Sequence, residues 1–323
     1  MSVAGVAVAI AVVSFNTREP LAICLQSMAA EVEDGRATVW VVDNGSRDGS
    51  VEMVRDRFAW AELIEPAANL GYGAAVNLVV ECTDAPWIVA ANADIALEPG
   101  ALDALLAAGD AHPGAGALAP ALILGDGSFQ HSVHAFPSPW LSLAHVLGLA
   151  RVWPGLGDRL CLNGHWDAAR EREVEWAHGA CLLLRRDAFE AAGGFDPRQW
   201  MYAEDLDLAW RLRALGAPTR YVPAARVSHT LGAATAVAFA ERRAGLEMEA
   251  AYDWLARRRG IAVARLHAAI NVVGGGVRLA VLALAAIVRP QRFAISRERE
   301  LRYLRLHARG FLRPRRGRGT NGQ

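Results

Sequence analysis

The first half of the chain alternates short apolar runs with segments whose apolar residues recur at helical spacing. Residues 6–14 form a continuous apolar run, and residues 37–42 and 87–91 repeat it. Strands that are buried on both faces of a parallel sheet have this pattern. The remaining elements are predicted as helices at 20–30, 50–58, 73–81 and 102–108 and a short strand at 62–65. This order predicts an α/β fold with a doubly wound, mostly parallel sheet, whose ligands bind at the carboxyl ends of the strands.

The regular alternation stops near residue 116. For the stretch 116–166 we predict shorter strands, Pro-rich turns and a long irregular region, of a length that is usually functional or mobile. Regular structure is predicted again after residue 175. The elements there are a strand at 175–184, a helix at 185–192, an acidic helix from 204, a strand at 219–222 and long helices at 239–260 and 261–288.

Charge is distributed unevenly along the chain. The 323 residues carry a formal net charge of zero, yet eleven Arg and only two acids, Glu298 and Glu300, lie between Arg289 and Arg318. We therefore predict a sheet domain over 1–236, C-terminal helices that associate with the membrane over 237–288 and an Arg-rich tail over 289–323. Such a tail attracts anionic partners.

The partner of this tail is predicted to be an anionic membrane surface. Only Tyr303 and Phe311 are available to stack on bases, which argues against nucleic acid. A solvated, partly disordered tail is the alternative. Residues 268–288 are apolar enough to suggest a transmembrane helix, but Asn271 and Arg278 would be costly at mid-bilayer. We favour helices that lie in the membrane interface over a true span.

The compartment is predicted from the N-terminus and the cysteines. The first apolar run lacks a positive flank and a cleavage site and is too short to span a bilayer, so it indicates a buried strand. The four Cys are scattered without a C-x-x-C pair, as in proteins of reducing compartments. A cytoplasmic protein on the inner face of the cell membrane is expected.

Three carboxylates, Glu204, Asp205 and Asp207, stand at the start of the acidic helix. One interpretation is structural, because the unpaired N–H groups at a helix N-terminus favour acidic residues. The other is catalytic. A carboxylate that acts as a general base can have its pKa raised towards the working pH by a neighbouring carboxylate.

Polar residues also follow the predicted strands. Asp43 either opens a turn or accepts the N3–H of a uracil or thymine ring. Asp94 either forms an Asx turn or offers oxygen to a divalent cation that also binds phosphate. His229 is either a structural hydrogen-bonding residue or an imidazole ligand, which Mn²⁺ accepts more easily than Mg²⁺. The glycine-rich stretch 69–77 leads to a helix N-terminus and suits a diphosphate.

The order and spacing of these motifs resemble family 2 inverting glycosyltransferases of the GT-A fold over about residues 6–235. The motifs are Val12-Val13-Ser14-Phe15-Asn16, Asp43-Asn44-Gly45-Ser46, Asn69-Leu70-Gly71-Tyr72-Gly73, Asn92-Ala93-Asp94, Gly193-Gly194-Phe195-Asp196, Tyr202-Ala203-Glu204-Asp205-Leu206-Asp207 and His229. The similarity is greatest to rhamnosyltransferases that move L-rhamnose from dTDP-rhamnose to N-acetylglucosaminyl-diphospho-decaprenol in cell-wall synthesis. A transferase of another sugar, such as galactofuranose or mannose, and a non-catalytic nucleotide-sugar-binding protein are the alternatives.

The resemblance implies roles for individual residues. Asp205 would be the general base, and Glu204 would orient the acceptor or the base. Asp94 and His229 would hold Mg²⁺ or Mn²⁺, with Asn92 in place of the family's first metal-site aspartate. The implied donor site for a dTDP- or UDP-sugar comprises Ser14, Asn16, Asp43, Asn69, Gly71, Asn77, Asn92 and Asp94, and the implied site for a lipid-linked glycan acceptor comprises Trp176, His178 and Gly179.

Overall fold

The computed structural model describes residues 7–229, 236–288 and 290–312. The chain forms two compact units. The first combines residues 1–134 with 167–237, and the second combines 135–166 with 238–323. The domain boundaries predicted at 236 and 288 remain predictions, and the segment 135–166 groups with the C-terminal helices.

A mixed β-sheet forms the centre of the first unit, and in the part of the chain that the structure describes it has nine strands. The strands of the chain are β1 (Val8–Ser14), β2 (Ala37–Asp43), β3 (Glu62–Ile64), β4 (Trp87–Asn92), β5 (Ile95–Leu97), β6 (Ala117–Ile123), β7 (Val133–His134), β8 (Arg172–Val174), β9 (Trp176–Ala177), β10 (Cys181–Arg185) and β11 (Thr219–His229). The order in the sheet is β3-β2-β1-β4-β10-β6-β11-β5, and β8 pairs with β11. A separate antiparallel pair joins β7 to β9.

The parallel strands predicted from apolar runs are confirmed. β1 pairs in parallel with β2 and β4, and all side chains from Val8 to Val12 are fully buried. β10 lies antiparallel between β4 and β6, so the sheet is mixed rather than uniformly parallel. The α/β class and the helical C-terminal extension are therefore as predicted.

Helices cover the sheet and build the second unit. They are α1 (Arg18–Glu33), α2 (Ser50–Arg57), α3 (Tyr72–Glu81), α4 (Ala101–Ala111), α5 (Pro139–Val146), α6 (Leu149–Val152), α7 (Pro154–Arg159), α8 (Arg186–Ala191), α9 (Glu204–Ala214), α10 (Ala236–Arg259), α11 (Ile261–Val288) and α12 (Pro290–Leu312). The second unit contains α5–α7, α11, α12 and all of α10 except residues 236 and 237.

The structure differs from the sequence predictions at three places. The stretch 116–166, predicted as shorter strands, Pro-rich turns and a long irregular region, contains β6 and β7 but also the helices α5–α7, which were not predicted. The strand predicted at 175–184 is interrupted at residues 178–180, between β9 and β10. The Arg-rich tail is helical up to Leu312, because its Arg residues alternate with Leu, Tyr and His at helical spacing and these pack against α11.

A polar network is buried between the helices of the second unit. Asn271 on α11 donates to Ser142 Oγ on α5 over 2.7 Å and accepts the hydroxyl of Tyr303 on α12 over 2.5 Å. Tyr252 on α10 hydrogen-bonds His307 on α12 over 2.6 Å. Among the described residues, Ile261–Ile287 is the one segment long and apolar enough to cross a membrane by length and composition, with a mean hydropathy of 2.0.

Acid is expected to destabilise this network through His307. Burial lowers the pKa of His307 to about 3, aided by the charges of His267, Arg278 and His145. The unfolded chain binds a proton below its ordinary His pKa of about 6.5, whereas the folded chain does not until about pH 3. The free energy of unfolding should fall by ~3 kcal/mol between pH 6.5 and 4, at about 1.4 kcal/mol per pH unit.

Urea unfolding at a series of pH values tests this expectation. His307→Gln should reduce the measured slope by the share of one histidine, about 1.4 kcal/mol per pH unit, because Gln binds no proton, whereas His165→Gln, at an exposed position of the same unit, should leave it unchanged. An unchanged slope in His307→Gln would contradict the assignment.

Candidate active site

Three strands present polar residues at the same edge of the sheet. The register pairs Ser14 at the end of β1 with Asp43 at the end of β2, and Val13 of β1 with Asn92 at the end of β4. Because these strands are parallel, their carboxyl ends open into one crevice, where α/β sheets bind ligands. Ser14 is buried, and its Oγ lies 3.1 Å from the hydroxyl of Thr17.

Asp43, at the carboxyl end of β2, is buried. Its Oδ1 accepts the N–H groups of Gly45 at 3.0 Å and Ser46 at 2.7 Å, which forms the turn expected from the sequence. Its Oδ2 is buried and has no hydrogen-bond partner among the described residues. A buried acceptor without a donor is costly, so this oxygen is suited to receive a donor from a ligand.

Asn16 and Asn44 organise the loops around Asp43. Asn16, at φ 52°, accepts the N–H of Arg47 through Oδ1 at 2.8 Å. Asn44 accepts the N–H of Leu70 at 3.1 Å and donates to the carbonyl of Gly71 at 3.3 Å. Asn44 thereby fixes the glycine-rich loop, a role that the sequence prediction missed.

Gly71 lies where the glycine-rich loop enters α3. Asn69 Oδ1 accepts its N–H at 2.9 Å, and Gly71 has φ 78° and ψ −178°, a conformation open almost only to glycine. A Cβ at Gly71 would lie 2.2 Å from the carbonyl oxygen of Trp200. The N–H groups of the first turn of α3 lack intrahelical acceptors and can therefore face an anionic ligand.

Asp94 and His229 lie together at the far side of the edge. Asp94 Oδ1 is 3.3 Å from His229 Nε2, and His229 Nδ1 is 2.7 Å from Gln130 Oε1. Gln130 accepts the Nδ1–H, which leaves the Nε2 lone pair directed at the side of Asp94. Two ligands of one Mg²⁺ or Mn²⁺ ion, each about 2.1 Å from it, can adopt this separation.

The residues present fit such an ion only as a partial shell. Across residues 7–229, 236–288 and 290–312, no group of three or more His, Cys, Asp or Glu forms a metal cluster. Asp94 and His229 would supply two ligands, and phosphate oxygens of a ligand would have to complete the coordination.

Asp205 lies in the first turn of α9. Its Oδ2 accepts the N–H of Gly179 at 2.8 Å and its Oδ1 accepts the N–H of Leu206 at 2.7 Å. Ala203, which precedes the helix, has φ 62°, and the preceding Tyr202 has φ 63°. These two left-handed residues lead the chain into α9, where Asp205 reaches the N–H of Gly179, one residue before the carbonyl of Ala180 that accepts the N–H of Asn92 at the end of β4.

The other two carboxylates of the cluster have different environments. Burial and, to a lesser degree, the charge of the adjacent Asp205 raise the pKa of Glu204 to about 8. Glu204 Oε2 has no hydrogen-bond partner within the described part of the chain. Asp207 is fully buried and paired with Arg211 at 2.8 Å, and Arg211 also donates to Gly194 at 2.6 Å. Asp207 therefore anchors α9 and lies outside the candidate chemistry.

Tyr72 connects the separate parts of the site. Its hydroxyl donates to the carbonyl of Gly179, whose N–H donates to Asp205. Burial raises the pKa of Tyr72, and the neighbouring Cys181, Glu204, Asp205 and Asp94 raise it too. Three carboxylates from two regions of the chain therefore lie close enough to Tyr72 to act on its hydroxyl.

Two of the predicted acceptor residues, Trp176 and His178, form an aromatic cluster with His134. His134 stacks on Trp176 with ring centroids 4.6 Å apart, and its Nε2 is 3.0 Å from Nε2 of His178. β7 and β9 supply these residues through the pairing of His134 with Trp176. Gly179 follows directly, so the cluster continues to Asp205.

Asn77, predicted to bind the donor, has a different role. Its amide donates to the carbonyl of Phe195 at 2.8 Å and accepts the N–H of Phe195 at 2.9 Å. Both amide atoms are therefore used to hold the 193–196 turn against α3.

Asn92 ends β4, and its N–H donates to the carbonyl of Ala180 at 2.9 Å. Tyr72 and Gln130 are further site residues that the sequence analysis did not assign, since no local motif marks them.

Comparisons with known proteins identify the family of the chain. Residues 9–160 match the model of glycosyl transferase family 2, and residues 157–293 match that of glycosyl transferase family group 2. Over 203 residues the chain is 39% identical to the N-acetylglucosaminyl-diphospho-decaprenol L-rhamnosyltransferase of Mycobacterium tuberculosis, which covers 59% of this chain and 66% of that protein. A shorter match of 56 residues, covering 17% of this chain and 21% of that protein, is 41% identical to rhamnosyltransferase WbbL of Escherichia coli.

A solved structure shares the fold. The mannosyltransferase PcManGT of Pyrobaculum calidifontis, in complex with GDP-Man and Mn²⁺, superposes with a TM-score of 0.56 at 17% identity, covering 95% of this chain and 87% of that chain. Together the two family models span residues 9–293, and the sheet is of the GT-A type that the motif order implied. The chain belongs to glycosyl transferase family 2.

Proposed function

We propose that this protein is an inverting glycosyltransferase that moves a sugar, L-rhamnose, from its dTDP-linked form to a polyprenyl-diphosphate-linked N-acetylglucosamine acceptor. The observation that carries the proposal is the hydrogen-bonded chain from Tyr72 through Gly179 to Asp205, with His229 beside Asp94. The named activity of the mycobacterial relatives supports the donor and the acceptor. Because the match covers 66% of those relatives, activity, substrates and partners are proposed and not transferred as facts.

The donor would bind along the strand ends. The free Oδ2 of Asp43 would accept the N3–H of the thymine or uracil ring. The loop from Asn69 to Gly71, which Asn44 fixes, would lie beside the diphosphate. The N–H groups at the start of α3 would neutralise part of the negative charge of the diphosphate. Mg²⁺ or Mn²⁺ on Asp94 and His229 would stabilise the departing diphosphate as a Lewis acid.

The acceptor would enter from the side of Trp176 and His178. Asp205 would take the proton of the attacking hydroxyl, and the oxygen would form its bond to the anomeric carbon as the bond to the diphosphate breaks on the opposite face. A single displacement of this kind inverts the configuration. The N–H of Gly179 fixes the carboxylate of Asp205, so that the base is oriented before the acceptor binds.

Glu204 is expected to act in its protonated form. Its pKa of about 8 leaves it neutral at pH 7, so its O–H can donate to the acceptor or to Asp205. We expect kcat/KM of the wild type to fall above about pH 8, when this proton is lost. Glu204→Gln keeps a neutral donor, so it should stay within about tenfold of wild type at pH 7 and lose the alkaline decline.

This expectation is tested by measuring kcat/KM from pH 6 to 9.5 for the wild type and for Glu204→Gln. If Glu204→Gln loses as much activity at pH 7 as a variant without the base, an ionised Glu204 is required and the expectation is wrong.

A donor panel tests the proposed function most directly. dTDP-rhamnose, dTDP- and UDP-hexoses, UDP-galactofuranose and GDP-mannose are incubated with a polyprenyl-diphospho-N-acetylglucosamine analogue, and products are identified by mass spectrometry. The proposal expects rhamnosyl transfer from dTDP-rhamnose above all others. Transfer of another sugar would correct the donor, and absence of both transfer and donor hydrolysis would favour nucleotide-sugar binding without catalysis.

We further propose that the protein lies peripherally on the inner face of the cell membrane, where a lipid-linked acceptor is found. The C-terminal helices would supply this contact, since each Arg near an anionic surface contributes ~1 kcal/mol. Flotation with anionic liposomes should therefore depend on residues 261–318. Equal flotation without them would reject the role of these helices.

A further inference from the structure

The segment that the sequence analysis treated as irregular is firmly attached to the C-terminal helices. Ser142 on α5 lies 2.8 Å from Nδ1 of His267 and accepts the amide of Asn271 at 2.7 Å. A Cβ at Gly274 would lie 2.4 Å from a methyl group of Val146, so α5 and α11 approach closely. One face of α5 is therefore fixed to α11 within the second unit.

The opposite face of α5 and the residues that follow it are apolar and exposed. Trp140, Leu143 and Leu147 recur at helical spacing, and Trp153 follows Val152 at the end of α6. Trp140 is 55% exposed, Val152 83% and Trp153 70%. Five large apolar side chains exposed within fourteen positions exceed the scattered exposure that is normal for a protein surface.

α11 carries a second exposed apolar row. Leu266, Val273, Val277, Leu284 and Ile287 recur at helical spacing along its length and are all exposed. Of the 21 exposed large apolar side chains in the described residues, 15 belong to the second unit. The apolar surface is therefore concentrated in one unit and not spread over the protein.

The charge of the second unit indicates what kind of surface would cover these exposed apolar side chains. Residues 135–166 and 238–323 contain 20 Arg and 7 acidic residues. A second copy of this unit would bring an equal excess of positive charge and be repelled. An anionic lipid surface offers both an apolar phase and the opposite charge, and it is the surface on which basic helices with an apolar face lie.

We propose that the α5–α6 segment is a second lipid-contact element, separate from the C-terminal helices. Trp140 and Trp153 would lie at the boundary between headgroups and acyl chains, where Trp is enriched, and Leu143, Leu147 and Val152 would reach the first methylenes. This inference extends the proposed membrane location. It assigns a function to a segment inserted between β7 and β8, which both belong to the other unit.

Flotation of the full-length protein with vesicles of 70% phosphatidylcholine and 30% phosphatidylglycerol tests the element without donor or acceptor. The double variant Trp140→Ser/Trp153→Ser should lower the partition coefficient by ~10-fold or more, given the apolar area that two indole rings remove from water. Ile23→Ser is the matched control, because Ile23 is 62% exposed but lies on α1 of the other unit. Its partition should equal that of wild type.

Two measurements keep the outcomes distinct. Leu147→Ser/Val152→Ser should weaken partition in the same direction, and all variants should keep the wild-type unfolding midpoint. Transfer to a short-chain, water-soluble acceptor reports on the proposed function independently, and the Trp variants should retain it. Wild-type partition in both double variants would overturn the lipid-contact assignment even if the transferase activity is confirmed.

Discussion

Asp205→Asn should lower the rate of sugar transfer by ~10²–10⁴-fold, the contribution that a positioned general base makes, and should leave dTDP binding unchanged. Asn has the shape of Asp, and its single amide oxygen can take the place of the Oδ2 that accepts the N–H of Gly179 at 2.8 Å, although the bond from the N–H of Leu206 is then lost. The amide is not basic, however, so the proton of the acceptor hydroxyl has no destination. Single-turnover rates with a short-chain acceptor, together with calorimetric titration of dTDP, measure the two quantities separately.

Asp207→Asn is the matched control on the same helix. Asp207 is fully buried against Arg211, so loss of its charge leaves a buried guanidinium poorly compensated. We expect the free energy of unfolding to fall by ~3–5 kcal/mol, while the rate per folded molecule stays close to wild type. Retained transfer in Asp205→Asn, or an equal loss of rate in both variants, would remove Asp205 from the role of base.

The parts of the fold that the sequence predicts well are those with strong periodicity. The run that forms β1 is apolar from Val8 to Val13 because both faces of the strand are covered, and no helical interpretation of so short a run competes. α11 was predicted with the bounds that it has, Ile261–Val288, because Gly260 stops the preceding helix. Both signals are local in the sequence.

The segment 135–166 could not be placed from local signals. The helices α5–α7 are short, begin after Pro-rich turns and expose apolar residues, so their pattern resembles that of a loop. The contact that orders α5 joins Ser142 to Asn271 across 129 positions. α12 was missed for a related reason, since its Arg residues indicated a basic tail that attracts an anionic surface, while its inward side chains, such as His307, pack on neighbouring helices.

The sequence predicts which residue types stand at the candidate site, but not which residues contact one another there. Asp43, Asp94, Asp205 and His229 were selected because they follow strands or begin a helix, and the structure brings Asp94 next to His229. The residues that orient them have no motif. Gln130 meets His229 across 99 positions, and a polar residue in a turn does not reveal such a partner. Asn77 was misassigned because a polar side chain near a glycine-rich loop can equally bind backbone.

Gly71→Ala should weaken dTDP binding by at least ~10-fold and also destabilise the fold. The backbone conformation of Gly71 is one that alanine adopts only with strain of order 1–3 kcal/mol. The added Cβ would also meet the carbonyl oxygen of Trp200 at 2.2 Å and its ring at 2.8 Å, so the glycine-rich loop and the segment before α9 must separate. That movement displaces the loop N–H groups from the proposed diphosphate.

Gly100→Ala separates the backbone effect from the steric one. Gly100 has φ 79°, close to the φ of Gly71, but its ψ of 2° lies in the left-handed helical region and no atom lies within 4 Å of a Cβ there. We expect this variant to lose only about 1 kcal/mol of stability and to bind dTDP like wild type. Thermal unfolding measures the stability of both variants, and calorimetric titration measures their affinity for dTDP. If Gly71→Ala binds dTDP normally while losing stability, the loop is a structural element and the proposed diphosphate site must lie elsewhere on the sheet edge.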